Sequence, residues 1–265
     1  MAIVSPQPGS VALITGASSG IGLAFARELG ARGHDLILVA RREQLLEQAA
    51  AEIRAKDGRR VEVIAADVSE LDGRARLAAQ VSASGLEVDV LVLSAGFGMG
   101  GPLIEQDPDR VRLMIRTNFE STVALAHEYT PPMAARRRGS VLIVSSMAGN
   151  QPMPNFGVYA ATKAAVTSFA QALHEELRAR GVTVTALCPG GVATDFASIA
   201  EMSHNERRMP RAFIATPEDT ARAGLDALER GRRTVIPGWA VQMLVFTGEH
   251  APRGLWLRFC RRLMA

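Results

Sequence analysis

Residues 11–22 read VALITGASSGIG: a short apolar run suited to a buried strand, a glycine-punctuated turn, then the first turn of a helical pattern. Gly16, Gly20 and Gly22 allow a tight turn, close approach of the backbone to a phosphate, and close packing of the helix that follows. Ser18, Ser19 and Ile21 lie within the same loop. A helix that starts here points free N–H groups and the positive end of its dipole at an anion. The letters 16-GASSG-20 also fit the nucleophile elbow of a serine hydrolase, with Ser18 attacking. That reading fits poorly by position. A hydrolase needs earlier strands to supply its oxyanion loop, and only ten residues precede this strand.

Outward from this stretch, apolar β-branched runs alternate with segments of helical period. Strands are expected at 11–15, 35–40, 61–66, 88–94, 140–146, 182–188 and 234–237, and helices near 20–32, 42–56, 69–84, 108–135, 157–180 and 217–230. The strands are near-continuously apolar, as in a parallel sheet covered on both faces. Strand–helix repetition implies right-handed crossovers and an α/β, doubly wound sheet. Residues 189–216 hold no strand signal and read as an excursion over the sheet edge. In such a sheet ligands bind beyond the carboxyl ends of the strands, so the residues just after each strand carry the information.

The second strand ends 40-ARR-42. A fold that prefers NAD places Asp or Glu at this point for the ribose 2′-hydroxyl. Here Ala40 is followed by Arg41 and Arg42, a pair suited to the 2′-phosphate of NADP(H). Arg41, immediately after the strand, is the expected direct contact, with Arg42 beginning the helix and facing solvent. After the third strand, Asp67 and Val68 stand where an acceptor for the adenine amino group is placed, although Asp67 serves equally as a helix N-cap. Ser94, Ala95 and Gly96 follow the fourth strand and are small enough to let a flat group lie on the backbone.

The fifth strand runs to Ser145-Ser146, and 159-YAATK-163 opens the next helix. Residues i and i+4 share a helix face, so Tyr159 and Lys163 can address one ligand. The chain has two tyrosines, and only Lys56 and Lys163 among its 30 Lys and Arg residues are lysines. Arginine serves wherever a generic cation suffices, which marks Lys163 as a position that needs an ammonium. A nearby cation favours phenolate and is expected to lower the Tyr159 pKa toward working pH.

These motifs together resemble the short-chain dehydrogenase/reductase family over about residues 8–237, through TGASSGIG, Asp67, Ala95-Gly96, Asn118, Ser146, YAATK and 189-PGGVAT-194. The resemblance implies one Rossmann-type domain over 1–265, with 238–265 as a C-terminal extension. It implies an NADP-dependent enzyme acting on a carbonyl or secondary alcohol, here an apolar one. Tyr159 would be the acid/base, Ser146 would hold the substrate oxygen, and Lys163 would lower the Tyr159 pKa and bond the nicotinamide ribose. Asn118 would hold a water in a proton relay, and Pro189, Val192 and Thr194 would line the nicotinamide. The family's usual Asn-Ala-Gly is Ser94-Ala95-Gly96 here, which bears on the sheet edge more than on the chemistry. A catalytically silent dinucleotide sensor on the same fold is the other reading.

Composition narrows the partners. With 48% apolar and 22% charged residues the chain is globular. A net charge of +3 is spread over scattered arginine pairs with 5% aromatics, so nucleic acid is not an expected partner. Two cysteines, Cys188 and Cys260, exclude a disulfide scaffold. The opening MAIVSPQPGS lacks a secretion signal and no apolar run nears the length of a membrane span, so a cytoplasmic homodimer or homotetramer is expected. Met99, Met147, Met153, Met202, Met209, Phe97, Phe156, Phe196 and Phe213 fall in loops expected around a substrate and suit either an adaptable apolar pocket or the sealing of those loops to the sheet. The tail 254-GLWLRFCRRLMA-265 is basic and amphipathic. It is read as a subunit contact or lid rather than a weak membrane-surface contact, because its apolar residues do not form one clean stripe.

Overall fold

The computed structural model describes residues 4–200 and 210–263. Met202, His204, Met209 and Met264 lie outside the described residues. In chain order the elements are β1 (Ser10–Thr15), α1 (Gly20–Ala31), β2 (Asp35–Ala40), α2 (Glu43–Asp57), β3 (Val61–Ala65), α3 (Leu71–Ala83), β4 (Glu87–Leu93), α4 (Pro108–Ile115), α5 (Ser121–Ala135), β5 (Gly139–Val144), α6 (Gly157–Arg178), β6 (Val182–Leu187), β7 (Gly191–Val192), α7 (Phe196–Ile199), β8 (Ile214–Ala215), α8 (Pro217–Glu229), β9 (Thr234–Val235), α9 (Trp239–His250) and α10 (Arg253–Leu263).

Seven strands form a parallel sheet in the order β3-β2-β1-β4-β5-β6-β9. The chain winds outward from β1 to β3, then returns to lay β4 on the other side of β1. The crevice between the ends of β1 and β4 is therefore the topological switch point. Thr15 pairs with Leu93, so both strands release their following loops at the same level.

Alternation along each strand feeds two cores. Val11 and Leu13 enter the layer that holds Val141, Val166 and Ala170, whereas Ala12 and Ile14 enter the one that holds Phe25, Leu29 and Leu225. Both faces of β1 are dry, which is why the strand reads as an unbroken apolar run. Helix starts follow local chemistry. Asp107 caps α4 through Asp109 N–H ahead of Pro108, and the Thr216 hydroxyl caps α8 through Asp219 N–H ahead of Pro217.

Two departures from the sequence reading matter. The helix expected over 108–135 is interrupted by a wide turn at Arg116–Glu120 with i→i+5 bonding, which carries Asn118. The strandless excursion also contains strand pairing, since Gly191–Val192 pairs with Ile214–Ala215. Two-residue strands bury too little to leave an apolar run in the sequence.

Candidate active site

The glycine loop is shaped by what a side chain would strike. Gly16 has φ +70°, and a Cβ there would lie 3.0 Å from the Ala95 backbone. A Cβ on Gly22 would lie 2.2 Å from the Gly16 carbonyl oxygen. The loop is thus folded tightly on itself and pressed against the β4 end. Ser19 occupies the N-cap of α1 without spending its hydroxyl on the helix, and the first turn carries no acid. Free amide hydrogens and an uncompensated dipole remain at this end, which is the chemistry of an anion cradle. Ile21 packs on the core beneath the loop, and the Val68 side chain is likewise committed to the core, with its carbonyl accepting from Arg74 at 2.8 Å.

The two arginines at this strand end point in different directions. Arg42 does begin α2, but its guanidinium turns back and donates to Ser18 Oγ at 3.0 Å and Ser19 Oγ at 2.9 Å. Arg41 instead projects toward Asp67, with Nη1 3.8 Å from Oδ2. The N-cap position aims a long side chain back over the preceding loop, which sequence order alone does not reveal. With an arginine as its partner, Ser18 faces no base, and the hydrolase reading loses its nucleophile. Asp67 gives Oδ1 to the Ser69 N–H and hydroxyl, a turn cap, and keeps Oδ2 on the crevice side with Arg41.

Ser94 causes no loss at the sheet edge. The Thr15 hydroxyl oxygen accepts from both Ser94 N–H and Ala95 N–H, at 3.0 and 3.2 Å, so β1 rather than residue 94 ties this loop down. A Cβ on Gly96 would sit 2.9 Å from Asn118 Oδ1 and 3.4 Å from Lys163 Nζ, which shows how closely both groups crowd that glycine.

Asn118, 1% exposed, is turned inward by the wide turn. Its side chain accepts from Phe97 N–H at 3.0 Å and donates to Phe97 O at 2.9 Å and Thr162 Oγ1 at 3.2 Å. Both amide hydrogens are therefore used. Its two donors clamp the β4 loop and the Tyr159 helix together.

Ser146, Tyr159 and Lys163 converge and are all buried. The Ser146 hydroxyl oxygen accepts from Ala148 N–H at 3.1 Å, and the hydroxyl stands within reach of the Tyr159 side chain, whose phenolate form it favours. Lys163 Nζ donates to Val144 O at 2.9 Å and stands 5.9 Å from the centre of the Tyr159 ring. Burial pushes the phenol up to about 12, against a smaller lowering by the Ser146 hydrogen bond. Burial also pulls the Lys163 ammonium down to about 8. The shift of Tyr159 runs opposite to the expected lowering, because desolvation outweighs the Ser146 hydrogen bond. Tyr159 is a kept acid at neutral pH.

Apolar side chains close the site. Phe156 meets Tyr159 edge-on at 6.1 Å between ring centres, and Phe196 lies 5.5 Å away on another side. Met99, Met114, Phe97 and Met153 complete this cluster. A Cβ on Gly98 would strike the Phe196 ring at 2.5 Å, so the 196–200 segment sits directly on the β4 loop. Thr194 stands against Gly20, and the Pro189 carbonyl accepts from Met147 N–H next to Ser146. Val192 lies in the short strand between them. Met147 and Phe213 belong to a different cluster, under Val241 and Val245 of α9.

The depressed Lys163 pKa carries a stability consequence. Between about pH 8 and the ordinary 10.5, the folded chain has lost a proton that the unfolded chain retains, so stability rises with pH across this window. From pH 7.5 to 9.5 the gain is about 2 kcal/mol. Urea unfolding of wild type and Lys163→Met should show this difference in slope; equal pH slopes would mean that Lys163 titrates as an exposed lysine.

Comparison with known proteins follows the same lines. A profile of the family described as short chain dehydrogenase matches residues 10–204. The very-long-chain 3-oxoacyl-CoA reductase of Macaca fascicularis is 32% identical over 251 residues, covering 91% of this chain and 77% of that protein. The 17-beta-hydroxysteroid dehydrogenase type 3 of Danio rerio is 32% identical, covering 90% of this chain and 80% of its own. A short-chain dehydrogenase from Sphingobium yanoikuyae, solved in complex with NADPH, superposes with a TM-score of 0.82 at 28% identity, covering 93% and 94% of the two chains.

Proposed function

This chain belongs to the short-chain dehydrogenase family of oxidoreductases, and we propose that within it the protein is an NADP(H)-dependent reductase of large apolar ketones, long-chain 3-oxoacyl thioesters first among them. The observation that carries the proposal is the dry, sulfur- and aromatic-lined surround of a Tyr159 that holds its proton.

The cofactor would be held by the Gly16–Gly22 loop and the α1 N-terminus at its phosphates, by Arg42 and Arg41 at the 2′-phosphate, and by Asp67 at the adenine. Ser94 to Gly96, Pro189, Val192, Thr194 and Lys163 would line its other half. The nicotinamide, when bound, supplies the hydride. Tyr159 donates its proton to the carbonyl oxygen as negative charge builds there, and the Ser146 O–H, turned from the phenol to the substrate, donates a second hydrogen bond to the same oxygen. Lys163 is the nearest cation and stabilises the phenolate left behind. Asn118 holds the β4 loop and α6 in register, so that the three groups stay converged.

Ser146→Ala removes a donor aimed at a developing oxyanion and should lower kcat by about 10²–10³-fold. Single-turnover kinetics with NADPH in excess reads that step directly. An effect confined to KM would show that Ser146 only binds substrate.

The substrate class is tested with 3-oxoacyl-CoA compounds of increasing length, ketosteroids and small polar ketones, followed by nicotinamide absorbance. Each buried methylene is worth about 0.8 kcal/mol, so kcat/KM should climb roughly fourfold per added CH₂ until the pocket is full. A preference for small polar ketones would overturn the reading. Tight NADPH binding with no turnover on the whole panel would favour the silent sensor, a role that does not require Ser146, Tyr159 and Lys163 to converge.

A further inference from the structure

We propose that α9 and α10 form a docking surface for an anionic lipid bilayer. On α9, Val241, Val245 and Gly248 face the protein, while Trp239, Met243 and Phe246 recur at i, i+4 and i+7 on the outward face. These three are 76%, 57% and 57% exposed. The helix is apolar on both sides, a pattern that calls for a covering partner. On α10, Trp256 and Cys260 point inward, Leu255 and Phe259 stay exposed beside them, and the adjoining face carries Arg258, Arg261 and Arg262. The helical register separates apolar from basic residues more cleanly than the linear sequence suggested. Between the helices and Phe213 lies an open groove of about 510 Å³ whose lining is almost wholly apolar.

Charge selects the occupant. Helix α10 contains no acidic residue, and Arg258, Arg261 and Arg262 on its basic face have no acidic partner among the described residues. A two-fold pairing with a second copy through this face would bring six arginines together. Phosphate headgroups meet them with opposite charge, while the aromatic residues enter the headgroup boundary, as in basic interfacial helices. No described helix is long and apolar enough to cross a membrane, so the contact is with the surface. The inference stands independently of the substrate proposed above.

The test is flotation of the full chain with phosphatidylcholine vesicles, with and without phosphatidylglycerol, at low and high salt. Binding is expected with the anionic vesicles only, with a blue-shifted tryptophan emission that Trp239→Phe abolishes, and it should weaken as salt is raised. Each arginine near an anionic surface contributes about fivefold, so Arg258→Gln/Arg261→Gln/Arg262→Gln should weaken binding on the order of a hundredfold. Thermal melting and NADPH binding should be unchanged in that exposed-surface variant; if they change, single arginine variants replace it. Absence of flotation, or equal flotation of the triple variant, overturns the proposal. A dimer seen by light scattering and lost in Trp239→Gln would assign the face to a second copy. Saturable quenching of Trp239 by long-chain substrate without vesicles would make the groove a substrate site. Either result would overturn the lipid assignment.

Discussion

Replacing Tyr159 with phenylalanine should lower the rate of carbonyl reduction by about 10²–10⁴-fold while NADPH binding stays within a factor of about two. The substitution removes one hydroxyl and leaves the ring, which keeps its packing against Phe156 and Phe196. Ser146 retains its oxygen's bond from Ala148 N–H, so the local backbone has no reason to move. What disappears is the acid. With the phenol raised to about 12, Tyr159 carries its proton throughout the neutral range, as the acid of a reduction must. The same shift sets the pH dependence: in the oxidative direction the phenolate is required, so the alcohol-oxidation rate should rise with pH from neutrality upward, and Tyr159→Phe should flatten that rise. Cofactor fluorescence measures binding and single-turnover mixing measures chemistry. Retention of more than about a tenth of wild-type turnover would remove Tyr159 from the acid role.

Arg42→Ala should weaken NADPH by about 10–150-fold, the loss of one charge-assisted contact to a phosphate, and leave NADH nearly unchanged. Arg41→Ala should have a smaller effect, because its guanidinium is 67% exposed and drawn toward Asp67. The placement of Arg42 over Ser18 and Ser19 is what distinguishes the two, since it fixes a cation beside the loop that would hold the phosphates. Adding Ala40→Asp to Arg42→Ala should reverse the preference, by repelling the 2′-phosphate and accepting from a ribose hydroxyl. The comparison is kcat/KM for both cofactors at fixed ionic strength, because salt screens contacts to phosphate. If Arg41→Ala costs more than Arg42→Ala, the ligand draws Arg41 away from Asp67 and the arrangement at this strand end is not the one that binds.

The sequence alone determined the frame of this protein. Continuous apolar runs specify strands buried on both faces, glycines at 16, 20 and 22 specify a turn without side chains, and the four-residue spacing of Tyr159 and Lys163 places both on one helical face. These are local signals, written within a few residues by sterics and periodicity. The tertiary structure decided what depends on residues far apart in the chain. Asn118 is turned inward by a single wide turn and fastened to Phe97, 21 residues away. Arg42 rather than Arg41 reaches the glycine loop because α2 starts where it does. The Tyr159 pKa moves up rather than down because Phe156, Phe196 and their neighbours exclude water. Desolvation is a sum over everything packed around a group, and no spacing along a sequence carries that sum.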